Sequence, residues 1–437
     1  MDTESGLMLQ DGTPIFSLAE RLFPICRSIT GDGVRETLRI IAEHVPELTV
    51  HEVPTGSQCF DWTVPEEWNI RDAWVIDPEG NKIIDFQQHN LHVVGYSVPV
   101  DKTVSLEELD QHLHSLPDQP QAIPYVTSYY QPRWGFCLTH HQRQSLQPGD
   151  YRVLIDSELK EGNLTYGEIL LPGESSQEVF LSTYVCHPSM ANNELSGPVV
   201  LTFLLKWLNS LPRRRYTYRA VFIPETIGSI VYLSRNWQEM KARVIAGFNI
   251  SCVGDDRAYS YLPSRTENTL ADQVAQHVLQ HTDENYHRYR FLDRGSDERQ
   301  YCSPKIDLPV ATVMRTKYGA YPEYHTSLDN LTVISPEGLF GGYTALQHCL
   351  QVLENNIRVS ATVPCEPQLG RRGLYPTLSE KGSADLTRRM MDLLAYADGQ
   401  RTLLEIAEKI ESPMWELVPI VEQLLEHQLL EVLDSSP

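Results

Sequence analysis

Four short polar segments of this chain carry histidine and carboxylate side chains of the types that hold a metal ion and activate a water molecule. Each segment adjoins an apolar run that is typical of a buried strand. In α/β proteins the loops at the carboxyl ends of the strands hold the functional residues, so the pattern predicts a metal-dependent hydrolase. The segments are Cys186-His187-Pro188-Ser189 with Asn193-Glu194-Leu195-Ser196-Gly197, Pro224-Glu225-Thr226-Ile227-Gly228-Ser229, Gly295-Ser296-Asp297-Glu298, and Tyr324-His325-Thr326.

His187 ends one of these strands, because Pro188 makes the chain turn directly after it. A neutral imidazole in this place is a good zinc ligand. Asn193 and Glu194 lie in the loop before the next helix, so we expect the carboxylate of Glu194 beside the imidazole as a second ligand. Two simpler interpretations stay open: a histidine that only forms hydrogen bonds, and an acid that only stabilises the first helical turn.

Glu225 follows the strand Val221-Phe222-Ile223, at the same predicted edge of the sheet. A carboxylate next to an activated water is suited to be the general base of hydrolysis. The alternative is an acid that only begins the following helix.

His325 is the second candidate ligand, on a loop before the last helix of the α/β pattern. Its neighbour Tyr324 is a candidate substrate contact, and Asp329 is placed to orient the imidazole ring. Asp297, Glu298 and Arg299 precede another apolar strand, and we expect a reserve metal ligand, a substrate-binding group or an ordinary solvated turn there.

The surrounding pattern predicts an α/β domain that a β-rich unit interrupts. Residues 15–43 have helical periodicity, whereas residues 48–146 have short alternating runs with many turns. From the strand Tyr151–Ile155 onward, strands and helices alternate. The predicted domains are an α/β domain at residues 1–50 and 150–360, an inserted β-rich domain at residues 51–149, and a winged-helix-like domain at residues 375–437.

The C-terminal domain is predicted from three helices and a short strand. From Ser383 to Pro437 it has four basic and eleven acidic residues, a net charge of −7. A winged helix that binds DNA needs the opposite sign. We therefore expect a module that packs within the protein or contacts a protein partner or a second copy of the chain.

The whole chain is acidic as well, with 58 acidic and 36 basic residues among 437 and a formal net charge of −22. This charge disfavours nucleic acid and anionic membranes as partners. The partner expected from the hydrolase hypothesis is a small peptide or an amide-containing metabolite. Eight scattered cysteines without a CxxC pair, an acidic N-terminus without signal-peptide features and the lack of a membrane-spanning apolar run predict a cytoplasmic location.

The order of the four segments resembles the zinc aminopeptidases with an α/β/α sandwich, over residues 15–50 and 150–355. The whole chain is more similar to a branch of aminopeptidase-like proteins associated with polysaccharide-biosynthesis loci. That branch shares the Cys-His-Pro-Ser, Pro-Glu-Thr-Ile-Gly-Ser, Gly-Ser-Asp-Glu and Tyr-His-Thr-Ser segments, a β-rich insertion and a C-terminal winged helix. The resemblance implies a three-layer α/β/α zinc-peptidase-like sandwich in which His187 and His325 match the histidine ligands and Glu225 matches the general base.

Three further ligand positions of that family carry neutral residues in this chain, at Asn192, Thr226 and Ser251. Asn192 replaces the aspartate that bridges two metal ions, and an amide carries no charge for that role. The sequence therefore predicts one zinc ion per chain, held by His187, Glu194 and His325 with a fourth position open for water.

The main alternative is a catalytically inactive protein that binds peptide or sugar through its insertion. Four tryptophans there suit such a surface, although they suit an ordinary hydrophobic core as well. A base retained beside two imidazoles favours the hydrolase, because an inactive site has no need for one. The tryptophans are Trp62, Trp68, Trp74 and Trp134.

Overall fold

The structure is a computed structural model that describes residues 9–374 and 383–433. The predictions on the first residues of the chain, on the end of the interdomain linker and on both ends of the winged-helix-like domain fall partly outside these ranges. Within them, none of the helices is long and apolar enough to cross a membrane.

The elements follow the predicted order of helices, β-rich insertion, α/β alternation and C-terminal unit. The chain begins with α1 (Thr13–Leu22), α2 (Asp32–Ala42) and β1 (Thr49–Pro54). The insertion contains β2 (Gln58–Cys59), β3 (Trp62–Thr63), β4 (Glu67–Ile76), β5 (Lys82–Asp85), β6 (Val100–Ser105), α3 (Leu106–Asp110), β7 (Leu113–His114), β8 (Phe136–Cys137), α4 (His140–Gln144) and β9 (Asp150–Lys160). The α/β alternation contains β10 (Asn163–Leu171), β11 (Ser175–Tyr184), α5 (Ser196–Ser210), β12 (Tyr216–Ile223), α6 (Ile227–Arg243), β13 (Val244–Asn249), β14 (Ser260–Leu262), α7 (Leu270–Thr282), β15 (His287–Arg288), α8 (Glu298–Tyr301), β16 (Val310–Met314) and α9 (Pro336–Asn355). The last elements are β17 (Arg358–Ala361), α10 (Ser383–Tyr396), β18 (Asp398–Thr402), α11 (Leu403–Lys409), α12 (Met414–Glu426) and β19 (Leu430–Leu433).

An eight-stranded sheet lies at the centre of the α/β domain, in the order β1-β10-β12-β11-β13-β16-β14-β15. Its central strands β12, β11, β13 and β16 run parallel, so their carboxyl ends lie at one edge. Val179 and Leu181 of β11 pack in one hydrophobic cluster with α1, α5, α7 and α9, whereas Phe180 packs in another with α6. A strand that is buried on both faces has a continuous apolar sequence, as β11 does. Helices thus cover both faces of the sheet, and the predicted three-layer α/β/α fold is confirmed.

The insertion leaves and re-enters the α/β domain at one point. β1 and β10 pair in antiparallel register with Pro54 opposite Asn163, and the backbone N–H of Thr55 donates to the carbonyl of Gly162 at 2.9 Å. β9 pairs with β4 and β6 in the inserted sheet. The strand Tyr151–Ile155 was expected in the α/β sheet, and that expectation is wrong because an alternating pattern does not reveal which sheet a strand joins.

In the part of the C-terminal unit that the structure describes, there are three α-helices and a three-stranded sheet in the order β18-β17-β19. β17 pairs with both β18 and β19, so residues 358–360 belong to this sheet rather than to the α/β domain where they were expected. The unit packs on the α/β domain, where Trp415 of α12 stacks on His348 of α9 with ring centroids 4.1 Å apart.

We expect acid to weaken this packing through His348, because burial lowers the pKa of its imidazole to about 4. An unfolded histidine titrates near about 6.5, so the unfolded state takes up the proton first as the pH falls. The melting temperature should therefore decrease between about pH 6.5 and pH 4. His348→Phe keeps the stacking without the titration and should reduce this decrease, as measured by differential scanning fluorimetry. His427→Phe, at the exposed end of α12, is the control, and an identical pH dependence in wild type and His348→Phe would contradict the prediction.

Candidate active site

The carboxyl ends of the parallel strands bring three of the predicted residues to one cavity. His187 follows β11, Glu225 follows β12, and His325 lies on the loop after β16. All three line a cavity of ≈ 350 Å³. The two imidazole rings have centroids 5.5 Å apart, and Nε2 of His187 lies 3.7 Å from Oε2 of Glu225.

Glu194 contacts the other side of the His187 ring. It lies in a π-helical turn, Ala191–Leu195, directly before α5, and its Oε2 is 2.8 Å from Nδ1 of His187. Such turns occur often at functional sites. A carboxylate on Nδ1 leaves Nε2 free to face the cavity, which is how carboxylates orient metal-binding histidines. The predicted role of Glu194 as a ligand stays a prediction, although its contacts here are those of an orienting group.

Arg27 completes this buried group and was not among the predicted site residues. Its Nε donates to the carbonyl of His187 at 3.0 Å and lies 3.5 Å from Oε1 of Glu194. A fully buried arginine needs partners of this kind. The one signal in the sequence was an arginine directly after the apolar run Phe23–Cys26.

The two imidazoles differ in protonation. Burial lowers the pKa of His187, but Cys186 and Glu194 raise it by more, so the net direction is upward. Because burial raises the pKa of the Cys186 thiol to about 11, this thiol is neutral near pH 7, and we attribute the proton on His187 to Glu194. Burial and the nearby His187 lower the pKa of His325 to about 3, so His325 is neutral.

Glu225 is held by Ser296, whose hydroxyl donates to Oε1 at 2.7 Å. Burial is the main cause that raises the pKa of Glu225. Asp297 accepts from the backbone N–H of Thr226 at 2.7 Å and from the hydroxyl of Ser229 at 2.8 Å. Burial and the charge of Glu225 raise the pKa of Asp297 to about 8, and its Oδ2 is buried without a hydrogen-bond partner. Ser296 is a contact that the sequence analysis included in a segment without giving it a role.

Glu298 and Arg299 support this corner of the site in different ways. Oε1 of Glu298 accepts from the backbone N–H of Gly295 at 2.8 Å and from the hydroxyl of Tyr318 at 2.6 Å, which fixes the loop. The exposed Arg299 donates to Oγ1 of Thr226 at 2.9 Å.

The other candidate residues hold the loops rather than line the cavity. Tyr324 stacks on His325 with ring centroids 3.9 Å apart. Asn193 accepts from the hydroxyl of Tyr184. Asp329 accepts from the backbone N–H groups of Asn192 and Asn193 at 2.8 and 2.9 Å, so it holds the π-helical turn, whereas the sequence placed it beside His325.

Three neutral residues stand where the resemblance expects metal ligands, and each forms a hydrogen bond within the protein. Asn192 donates to Asp255 at 3.0 Å, and the hydroxyl of Ser251 lies 2.7 Å from that of Tyr184. The hydroxyl of Thr226 accepts a hydrogen bond from Arg299. All three side chains are neutral and form hydrogen bonds within the protein.

Aromatic side chains of the insertion form the walls of the cavity. Tyr125 and Tyr129 are partly buried with their hydroxyls 3.1 Å apart, whereas Trp62 and Tyr130 are 39% and 51% exposed. Trp62 was expected as a binding or core residue, and the tyrosines were missed. Trp68 lies in the core, where its Nε1–H donates to the carbonyl of Ser97 at 3.0 Å.

Fold and site together define an aminopeptidase-like protein. The chain belongs to the family described as Domain of unknown function (DUF4910), whose model matches residues 16–356, and a winged helix-turn-helix model matches residues 357–432. A protein of Clostridium acetobutylicum is 46% identical over 404 residues, 92% of each chain, and its name proposes a role in polysaccharide biosynthesis and an aminopeptidase-like domain. A crystal structure from Clostridium acetobutylicum, whose name proposes a peptidase, matches with 44% identity and a TM-score of 0.90 over 97% of this chain and 96% of that one.

More distant structures share the fold alone. A zinc aminopeptidase from Bacillus subtilis is 12% identical with a TM-score of 0.58, over 79% of this chain and 95% of that one. An aminopeptidase from an Aneurinibacillus strain is 12% identical with a TM-score of 0.51, over 79% and 94%.

Glu194→Ala leaves the buried Arg27 without its acidic partner, and removal of one member of a buried charge pair costs about 3–5 kcal/mol. We expect the free energy of unfolding to fall by that amount in urea denaturation. Glu194→Gln keeps an acceptor for Nδ1 and should lose less, about 1–3 kcal/mol. Glu43→Ala breaks the exposed pair with Arg21 and should change stability by about 1 kcal/mol or less. If Glu194→Ala were no more destabilising than this control, the buried group would not have the role described.

Proposed function

We propose that the protein is a metal-dependent hydrolase that cleaves an amide bond, in a peptide or in an N-acyl amide of a small metabolite, with Glu225 as general base. The observation that carries the proposal is the position of Oε2 of Glu225, which faces Nε2 of His187 at 3.7 Å in an aromatic-walled cavity. The name of the Clostridium acetobutylicum relative supports including the amides of acylated sugars among the candidate substrates.

The cavity offers two imidazoles to one zinc ion, whereas a catalytic zinc site usually has three protein ligands. His325 is neutral. Glu194 holds Nδ1 of His187, and because the pKa of His187 is raised, a metal ion would displace the proton on its Nε2. The carboxyl of Asp297 has a buried oxygen without a partner, as expected where acids gather around a cation. We infer that His187 and His325 would hold the ion, with Asp297 in reserve. A zinc ion there would lower the pKa of a coordinated water and polarise the amide carbonyl.

The protein's own groups would handle the proton. Ser296 binds Oε1 of Glu225, which leaves Oε2 facing the cavity. A carboxyl whose pKa is raised by burial can take a proton from water and return it to the leaving amine, because a pKa closer to the working pH suits both steps.

A second candidate is a binding protein without catalysis. The neutral Asn192, Thr226 and Ser251 favour it, and so does the aromatic cavity. Its ligand would be a peptide or a sugar. For either function, the net charge of the C-terminal unit supports a protein partner or a second copy of the chain over nucleic acid.

Metal content separates these functions. Plasma mass spectrometry on full-length protein purified without chelator should find about one zinc per chain. His187→Ala and His325→Ala should lose the metal, whereas His427→Ala, at an exposed position, should keep it. Folded protein without metal would favour the binding protein, and two ions per chain would contradict the single-site assignment.

Glu225→Gln should keep the metal but lower kcat on a panel of amides by roughly 10²–10⁴-fold, because it removes the proton acceptor. Glu79→Gln, in an exposed turn, is the matched control and should leave kcat unchanged. A Glu225→Gln enzyme as active as the wild type would show that another group is the base.

A further inference from the structure

The corner of the cavity next to Glu225 carries a positive charge. Thr226 lines the cavity, and its hydroxyl accepts from Nη2 of Arg299 at 2.9 Å. The guanidinium is also held by the carbonyl of Ser296, which accepts from Nε at 2.9 Å. Over residues 9–374 and 383–433, Arg299 forms no ion pair with a carboxylate, although its charge acts on Glu225, so a ligand in this corner would meet both charges.

Among the described residues that line the cavity, Glu225 is the sole carboxylate. Its Oε1 accepts from Ser296, and its Oε2 faces His187 and the cavity, where the proposed reaction uses it as the base. A free α-ammonium beside the scissile bond would therefore have no carboxylate other than the proposed base, and it would lie near the charge of Arg299. Two like charges repel each other, although solvent screens part of this repulsion because Arg299 is exposed.

The aromatic walls suit an uncharged group. Trp62 and Tyr130 stand at the exposed side of the cavity with ring centroids 5.8 Å apart. Trp62 is presented by a tight hairpin in which Cys59 pairs with Trp62 and Phe60 adopts a φ of 56°. A non-glycine residue in that region is strained, and such strain persists mainly at functional sites. Aromatic walls bind cations as well as neutral groups, but the positive charge of Arg299 disfavours a cationic group here.

We propose that the substrate is an N-acylated amide without a free ammonium group beside the scissile bond, and that the Thr226–Arg299 pair excludes peptides with a free amino terminus. This inference rests on the proposed hydrolase function at the same site. In the reaction the C–N bond breaks, a C–O bond forms with the oxygen of water, and a proton of that water passes to the leaving amine.

A matched pair of probes tests this: leucine p-nitroanilide, which has a free α-ammonium, and N-acetyl-leucine p-nitroanilide, which differs by the acetyl group. For turnover, kcat/KM of the zinc-loaded full chain should favour the acetylated probe at least about tenfold. For binding, isothermal titration calorimetry with Glu225→Gln should show the same preference without any cleavage.

Variants of Arg299 connect the preference to its charge. Arg299→Gln should reduce the preference for the acetylated probe about tenfold, equivalent to about 1.4 kcal/mol, and Arg299→Lys should largely restore it. Arg290→Gln, an exposed arginine paired with Asp293, should leave the preference unchanged.

Equal affinity for both probes, a preference for the free amine, or no binding of either would overturn the inference. Selective binding of the acetylated probe with no turnover by the zinc-loaded wild type would uphold the inference about the ligand and refute the hydrolase function. The two failures are thus distinguishable.

Discussion

The hydrogen bond between Glu194 and Nδ1 of His187 is the interaction on which the site depends. Both side chains are buried, and a buried carboxylate is costly unless it is paired. Oε2 of Glu194 is hydrogen-bonded to His187, and Oε1 lies 3.5 Å from Nε of Arg27 without a hydrogen bond. The bond fixes the tautomer and the direction of the imidazole, so that Nε2 faces Glu225 and the cavity. Without it, the ring would be free to turn its basic nitrogen away from the other reactive groups.

The reactive groups and the walls of the cavity come from different units of the molecule. The parallel strands supply His187, Glu225 and His325 from the α/β domain, whereas Trp62 and the tyrosines come from the insertion. The two units meet at the site, because the backbone N–H of Tyr125 donates to the carbonyl of His325 at 3.0 Å and the ring centroid of Tyr125 lies 5.2 Å from that of His187. A change in the insertion can therefore act on the reactive groups as well as on the ligand.

The fold class and the meeting of the two histidines with Glu225 were predictable, because parallel strands bring their carboxyl ends to one edge. The sheet that β9 joins was not, since pairing depends on long-range contacts that an alternating pattern does not encode. The side of His187 that Glu194 contacts depends on a π-helical turn. Arg27 was missed because its partners lie far along the chain, and the tyrosines because they lie among irregular turns.

The most direct test of this arrangement is anomalous diffraction at the zinc edge from crystals of the full chain grown with zinc. The account predicts one peak between Nε2 of His187 and His325, with Glu194 still bound to Nδ1. Cys186, His187 and Glu194 form a second group whose ligand atoms lie within 4.8 Å of one another. A peak inside that group would mean that Glu194 binds the metal rather than orienting His187, and it would contradict the account.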